Sequence, residues 1–174
     1  MTPKERILTA QTFFDVAVRL GNSVREGSVT PHMLKKPINI ITGGPGLQLG
    51  PKEYTPQQLM EVMENFVFTA MGITAMAADQ ALDEALGAKN PDDVSQTGSL
   101  RAIIYMLRCA FAHDIAEVTW CCASKYQREY SVLLPHAGLI KFNGATVNGQ
   151  YVMPQHIGGL EAYVEMLDLA LRMV

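Results

Sequence analysis

Apolar positions recur at helical spacing in four long stretches and fall into short blocks between them. From Leu100 to Trp120, the residues Leu100, Ile103, Ile104, Leu107 and Phe111 form one stripe at about 100° per residue. At the N-terminus Thr2 can cap a helix, Pro3 suits its first position and Glu5 can reach back to the cap. That pattern predicts a helix from Pro3 to about Leu20, lined by Ile7, Ala10, Phe14 and Ala17 and stopped by Gly21-Asn22. Thr55-Pro56-Gln57-Gln58 repeats the capping logic and opens the longest helix, from Pro56 to about Leu86, before Gly87 ends it. Leu59, Met63, Phe66, Ala70 and Ile73 make one stripe of this helix, and Met60, Val67 and Met71 a neighbouring one. It is therefore expected to be buried on two sides, as the central helix of a bundle or with one face against a second copy. Leu160 to Met173 reads as a closing helix through Leu160, Tyr163, Val164, Leu167 and Leu171.

Between the helices the pattern shortens. Gly21 to Tyr54 reads as a β-like piece over Pro37–Thr42, a turn at Gly43-Gly44-Pro45-Gly46 and a return through Leu47–Leu49. The glycines lack a Gly-Lys-Ser/Thr ending, so a tight turn is the reading rather than a phosphate loop. Asn90-Pro91-Asp92-Asp93 is a turn into the Leu100 helix, which Ser95 or Ser99 can cap. Downstream, Tyr130–Leu134 and Leu139–Phe142 read as strands. Asn143-Gly144 is a hairpin signal before Ala145-Thr146-Val147, and Asn148-Gly149 leads to Gln150–Met153. The expected fold is mainly α, a helical bundle with a small C-terminal β-hairpin or meander, in one domain over residues 1–174.

Composition narrows the function classes. At 174 residues, with 48% hydrophobic and 18% charged positions, the chain is of globular type with length enough for its own core. A net charge of −3 and a pI near 5.8 argue against broad nucleic-acid binding through a basic surface, so any RNA contact must be local. Three cysteines, two of them adjacent at Cys121-Cys122, give no framework of spaced bridges and point to a reducing, cytoplasmic setting. No run approaches the eighteen or so apolar residues that span a bilayer.

The chemistry concentrates on the Leu100 helix. Arg101, Tyr105, Arg108 and Ala112 form a second face, and His113 and Asp114 follow. The run Arg108-Cys109-Ala110-Phe111-Ala112-His113, an arginine and a histidine separated by four residues at the end of an apolar helix, resembles the signature of the HEPN families. The resemblance implies a small helical domain that dimerises and sets Arg and His side chains in a shared cleft to cut RNA without a metal or cofactor. Arg108 would stabilise the phosphorane charge and His113 would act as general base or acid. Asp114 is placed to orient the imidazole, and Arg101 and Tyr105 to meet substrate. Such a chain could be a toxin component with an antitoxin partner. Other HEPN proteins are catalytically silent and bind a nucleotide or a partner protein; the acidic net charge and Cys109, where active members commonly carry a polar residue, favour that second class, and the intact Arg108 and His113 favour the first. An ideal helix turns Arg108 and His113 about 140° apart, so the helix must end or loosen near His113 if both are to reach one phosphate.

Other readings are blander. Cys109, His113, Cys121 and Cys122 lack the paired spacing of a zinc site. Cys109 as a nucleophile would need an exposed, stabilised thiolate. Asp79, Asp83 and Glu84 read as a solvated acidic strip. Lys125, Tyr126, Arg128 and Tyr130 mix basic and aromatic residues as RNA-binding surfaces do, but fit an ordinary helix-to-strand passage better.

Overall fold

The first helix, α1, spans Pro3–Arg25 and starts as its sequence prescribes. Thr2 Oγ1 accepts the Glu5 N–H at 3.2 Å, and Glu5 Oε2 accepts the Thr2 N–H at 2.8 Å. It does not stop at Gly21. A Cβ there would stand 3.2 Å from the Val67 side chain, so this glycine serves a close approach rather than a turn. The exit comes at Gly27, whose φ of 76° is the left-handed conformation a helix end requires.

In this computed structural model the described residues are 1–35, 38–40, 47–50, 52–113 and 117–174. They form a mainly helical chain that divides into two compact units, residues 14–68 and residues 1–13 with 69–174, with α1 and α2 contributing to both. Among them no helix is long and apolar enough to cross a membrane. In the 14–68 unit, β1 (Ile38–Ile40) and β2 (Leu47–Leu49) pair antiparallel with Ile38 opposite Leu49. Pro37, Ile41, Thr42 and the glycine turn at 43–46 lie outside the described residues. The buried side chains here include Phe14, Ala17, Val24 and Leu59.

Helix α2 spans Pro56–Leu86. A reciprocal pair between Thr55 and Gln58, at 3.0 and 3.1 Å, opens it, and Gly87 closes it with an N–H bond of 2.9 Å to the Asp83 carbonyl. In the larger unit its buried face is made mostly of small residues, Ala70, Thr74, Ala75, Ala78 and Ala81, joined by Met71 and Leu82. Ile73, expected in the apolar stripe, is instead 39% exposed. The reason is the close approach of α3 (Gln96–His113): a Cβ on Gly72 would lie 2.5 Å from the Phe111 ring, so the face toward α3 takes small residues and the branched one turns out. The expected stripe of α3 is buried throughout, and Ser95 is its cap, accepting the Gly98 N–H at 3.1 Å. Ser99 sits inside the helix, its hydroxyl donating to the Val94 carbonyl and accepting the Ser131 N–H.

Strands β3 (Glu129–Leu134) and β4 (Gly138–Asn143) form an antiparallel hairpin with Tyr130 opposite Phe142 and Leu133 opposite Leu139. Tyr130, Val132, Leu134, Ile140 and Phe142 point into the core at the alternation of a half-buried sheet. The Gln96 side chain covers the outer edge of β3, donating to the Leu133 carbonyl at 2.7 Å and accepting the Leu133 N–H at 2.9 Å. Asn143-Gly144 is not the hairpin turn, which lies at residues 135–137. Asn143 caps α4 (Gly144–Val147), its Oδ1 accepting from the Ala145 and Thr146 N–H groups at 3.0 and 3.2 Å, so Ala145–Val147 is helical rather than a strand. Gly144 is required by approach: a Cβ would lie 2.3 Å from the Tyr126 carbonyl oxygen. Residues 150–153 form no strand and contribute one isolated bridge, Thr119 to Tyr151.

Trp120 anchors this end. Its ring packs on Phe142 at 4.8 Å, and its indole N–H donates to His156 Nδ1 at 2.8 Å. Helix α5 (Leu160–Leu171) closes the unit through Tyr163, Met166, Leu167 and Ala170, while Val164 faces outward at 41% exposure. The fully buried Tyr163 hydroxyl is satisfied by Thr74 Oγ1 at 2.6 Å and the Met71 carbonyl at 2.9 Å.

The approach of α2 to α3 gives a direct test. Gly72→Ala should cost about 1–3 kcal/mol in urea unfolding, because the new methyl meets Phe111 Cβ as well as its ring and a rotamer change cannot relieve both. In a Phe111→Ala background the same substitution should cost much less, a non-additivity that marks the two residues as neighbours.

Candidate functional site

The outward face of α3 is built on charges supplied by the end of α2 and the loop beyond it. Asp79 and Asp83 lie one helical turn apart on α2. Lys89, two residues past Gly87, folds back so that its Nζ bonds Asp79 Oδ1 at 2.9 Å and Asp83 Oδ2 at 2.5 Å. Arg101 bonds Asp83 Oδ1 at 3.1 Å and also donates to the Gly87 carbonyl, occupying the negative end of the α2 dipole. The acidic strip is solvated only in part: Glu84 and Asp83 keep about half of their side chains exposed while pairing with Arg6 and with two cations, but Asp79 is buried, and there the expectation of solvated surface fails. Periodicity along α2 could not reveal this, because the cations come from a loop and from the next helix.

Tyr105 and Arg108 stand on the same face. Lys89 Nζ lies 4.8 Å from the Tyr105 ring centroid, and the Tyr105 ring meets Tyr126 at 5.0 Å. The Cys109 side chain one turn on, together with burial, pushes the Tyr105 phenol up to about 12. Burial lifts Asp79 above the ordinary carboxylate range, against the opposing pull of Lys89. The half-buried Arg108 has its Nη1 3.9 Å from Cys109 Sγ. Among the described residues Arg108 makes no ion pair within 4 Å. The contact with Cys109 raises the guanidinium above its ordinary value, against the opposing effect of burial and with a smaller contribution from Asp79.

No family model, curated protein or solved structure matches the chain. The assignment of chemistry therefore rests on the geometry alone. Of the residues singled out in the sequence, Arg108 and Tyr105 share one face with Lys89 and Asp79. Arg101 is 9% exposed and spent inside the protein on Asp83 and Gly87, with its Nε buried and unpaired. His113 is exposed as the last residue of α3, and helical backbone persists up to it. That backbone leaves the Arg108 and His113 side chains diverging by about 140°. Asp114 lies outside the described residues.

The cysteines do not gather into a metal centre: among the described residues no group of three or more His, Cys, Asp or Glu is placed to hold an ion. Cys122 is buried, with its thiol pushed up to about 11 by burial first and by Cys121 and Cys109 next. The basic and aromatic run is a structural passage. Tyr126 and Tyr130 are 3% and 0% exposed, Tyr130 donates to the Pro91 carbonyl, and Arg128 pairs with Asp92. Lys89, Asp79 and Asp83 were the residues that sequence reasoning missed as a group; a lysine just past a helix whose last turns carry Asp at i and i+4 was the available signal.

Two measurements probe this cluster. Lys89→Met should destabilise the protein by roughly 3–5 kcal/mol in chemical denaturation, since it leaves Asp79 buried beside no cation of its own; adding Asp79→Leu should recover part of that loss. The raised Tyr105 value makes the neutral phenol the stabilising form. Its contribution is full below the ordinary value near 10 and is lost as pH rises toward about 12. Thermal melts from pH 9 to 12 should therefore show a shallower alkaline decline in Tyr105→Phe than in wild type.

Proposed function

We propose that this chain is a HEPN-like binding module that takes the phosphate of a nucleotide or an RNA at Arg108, without cutting it. The observation that carries the reading is the inequality among the cations of one face. Lys89 and Arg101 already engage both aspartates, whereas Arg108 is half-buried, charged and free of any ion pair among the described residues. A planar guanidinium held by its neighbours in a part-desolvated position is a ready fork for phosphate oxygens. The net charge of −3 suits a local anion site better than a long RNA track. The divergence of Arg108 and His113 along a continuous helix speaks for binding over cleavage, because an acid–base group must reach the same phosphate. In this reading the chain acts as a homodimer in a reducing, cytoplasmic setting, for which its three free cysteines are suited.

The metal-independent ribonuclease draws support from one feature, the exposed His113 on the last turn of the helix that carries Arg108. A single set of assays separates the two. Calorimetry with adenosine, AMP, ATP and a 5′-phosphorylated single-stranded RNA should show binding only where phosphate is present. Arg108→Gln should weaken it by about tenfold or more, roughly 1.4 kcal/mol, while unfolding free energy stays within about 0.5 kcal/mol. Equal binding by Arg108→Gln defeats the anion-site reading. RNA cut in the presence of chelator, with cutting lost in His113→Ala, installs the ribonuclease in its place.

A further inference from the structure

The outer face of the β3–β4 hairpin changes chemistry along its length. Near its open end it is polar, with Glu129 and Lys141 paired at 3.6 Å beside Ser131 and Asn143. At its turn end the outward rung is Leu133 opposite Leu139, exposed by 62% and 56%. Two bulky apolar side chains directly across from each other, on the water side of a hairpin whose other rungs are polar, call for a cover. The surface continues from them into a groove of about 660 Å³ floored by Pro135, Leu169 and Met173. A second hollow, of about 460 Å³, holds Glu165 and Asp168, and Arg172 stands on the rim of both.

The charges identify the cover. Asp168 and Arg172 are exposed and one helical turn apart at the end of α5, yet among the described residues Arg172 has no ion pair within 4 Å. Asp168 accepts one bond, from Gln11 Nε2 at 2.8 Å. A patch that carries one acid and one base about 6 Å apart along a helix is its own complement under a two-fold rotation. We propose that a second copy of this chain docks here, α5 antiparallel to α5, with Arg172 of each protomer against the partner's Asp168 and the leucine rung packed into the partner's apolar groove. The inference rests on the homodimer within the functional reading and gives it an interface; it does not depend on the anion site.

Sedimentation velocity and titration calorimetry by dilution test it. Wild type should be dimeric at about 50 µM, and Leu133→Glu with Leu139→Glu should give a folded monomer by circular dichroism. If the two glutamates unfold the hairpin, Leu139→Ser serves as the milder variant and should weaken the dimer by at least about tenfold. Arg172→Glu and Asp168→Arg should each weaken it at least about tenfold, and the two together should return it to within about threefold of wild type. A wild-type monomer at about 100 µM overturns the proposal, as does a dimer indifferent to the leucine variants or to the charge reversals. Nucleotide binding measured on the same variants keeps the readings apart: a monomer that still binds AMP sinks the homodimer and its interface and leaves the anion site standing, and a dimer that binds no phosphate sinks the anion site alone.

Discussion

The constraint on which the larger unit depends is the neutralisation of two carboxylates at the end of α2. Burial disfavours the charged form of Asp79, and removing an ion from water costs several kcal/mol even after relaxation, so this carboxylate needs a cation beside it, one that it shares with the more exposed Asp83. Lys89 and Arg101 supply the charge from two directions, one from the loop that follows the helix and one from α3. Each cation thereby fixes more than an ion pair. Lys89 folds the chain back after Gly87 and lays its ammonium over Tyr105, and Arg101 ties α3 to the last carbonyls of α2. With α2 and α3 fixed at this end by charge and at the other by the contact of Gly72 with Phe111, the face that carries Tyr105 and Arg108 has a defined setting.

Helix starts were legible in the sequence because capping is local. Thr2 with Glu5, and Thr55 with Gln58, need only three residues of context and appear as read. Ends and turns were less so, because a glycine has two uses that look alike in a string. Gly27 and Gly87 adopt positive φ, whereas Gly21 and Gly144 make room for a neighbour that is far away in sequence. The Asn143-Gly144 pair misled for that reason: its asparagine caps a helix and its glycine clears a carbonyl. The stripe on α2 was legible in period but not in phase, since a close helix contact selects alanine over isoleucine and rotates the face.

The candidate site divides in the same way. The arginine and histidine of α3 stood out by pattern, and the buried stripe that presents them followed from period. Their environment did not. Nothing in the order of residues tells that Arg101 is consumed internally while Arg108, two turns on, is not, because the difference lies in where the 87–95 loop returns. Tyr126 and Tyr130 resembled a nucleic-acid surface by composition and are core residues by placement.

The bidentate grip of Gln96 on Leu133 carries a consequence of another kind. A two-stranded hairpin ends in unpaired N–H and C=O groups that invite pairing with a foreign strand, and here one amide side chain stands in for that strand. Gln96 is the first residue of α3, where helices fray most readily. Fraying of that single turn frees the Leu133 N–H and C=O beside its exposed side chain, so a foreign strand can reach this part of the edge by local opening, without global unfolding.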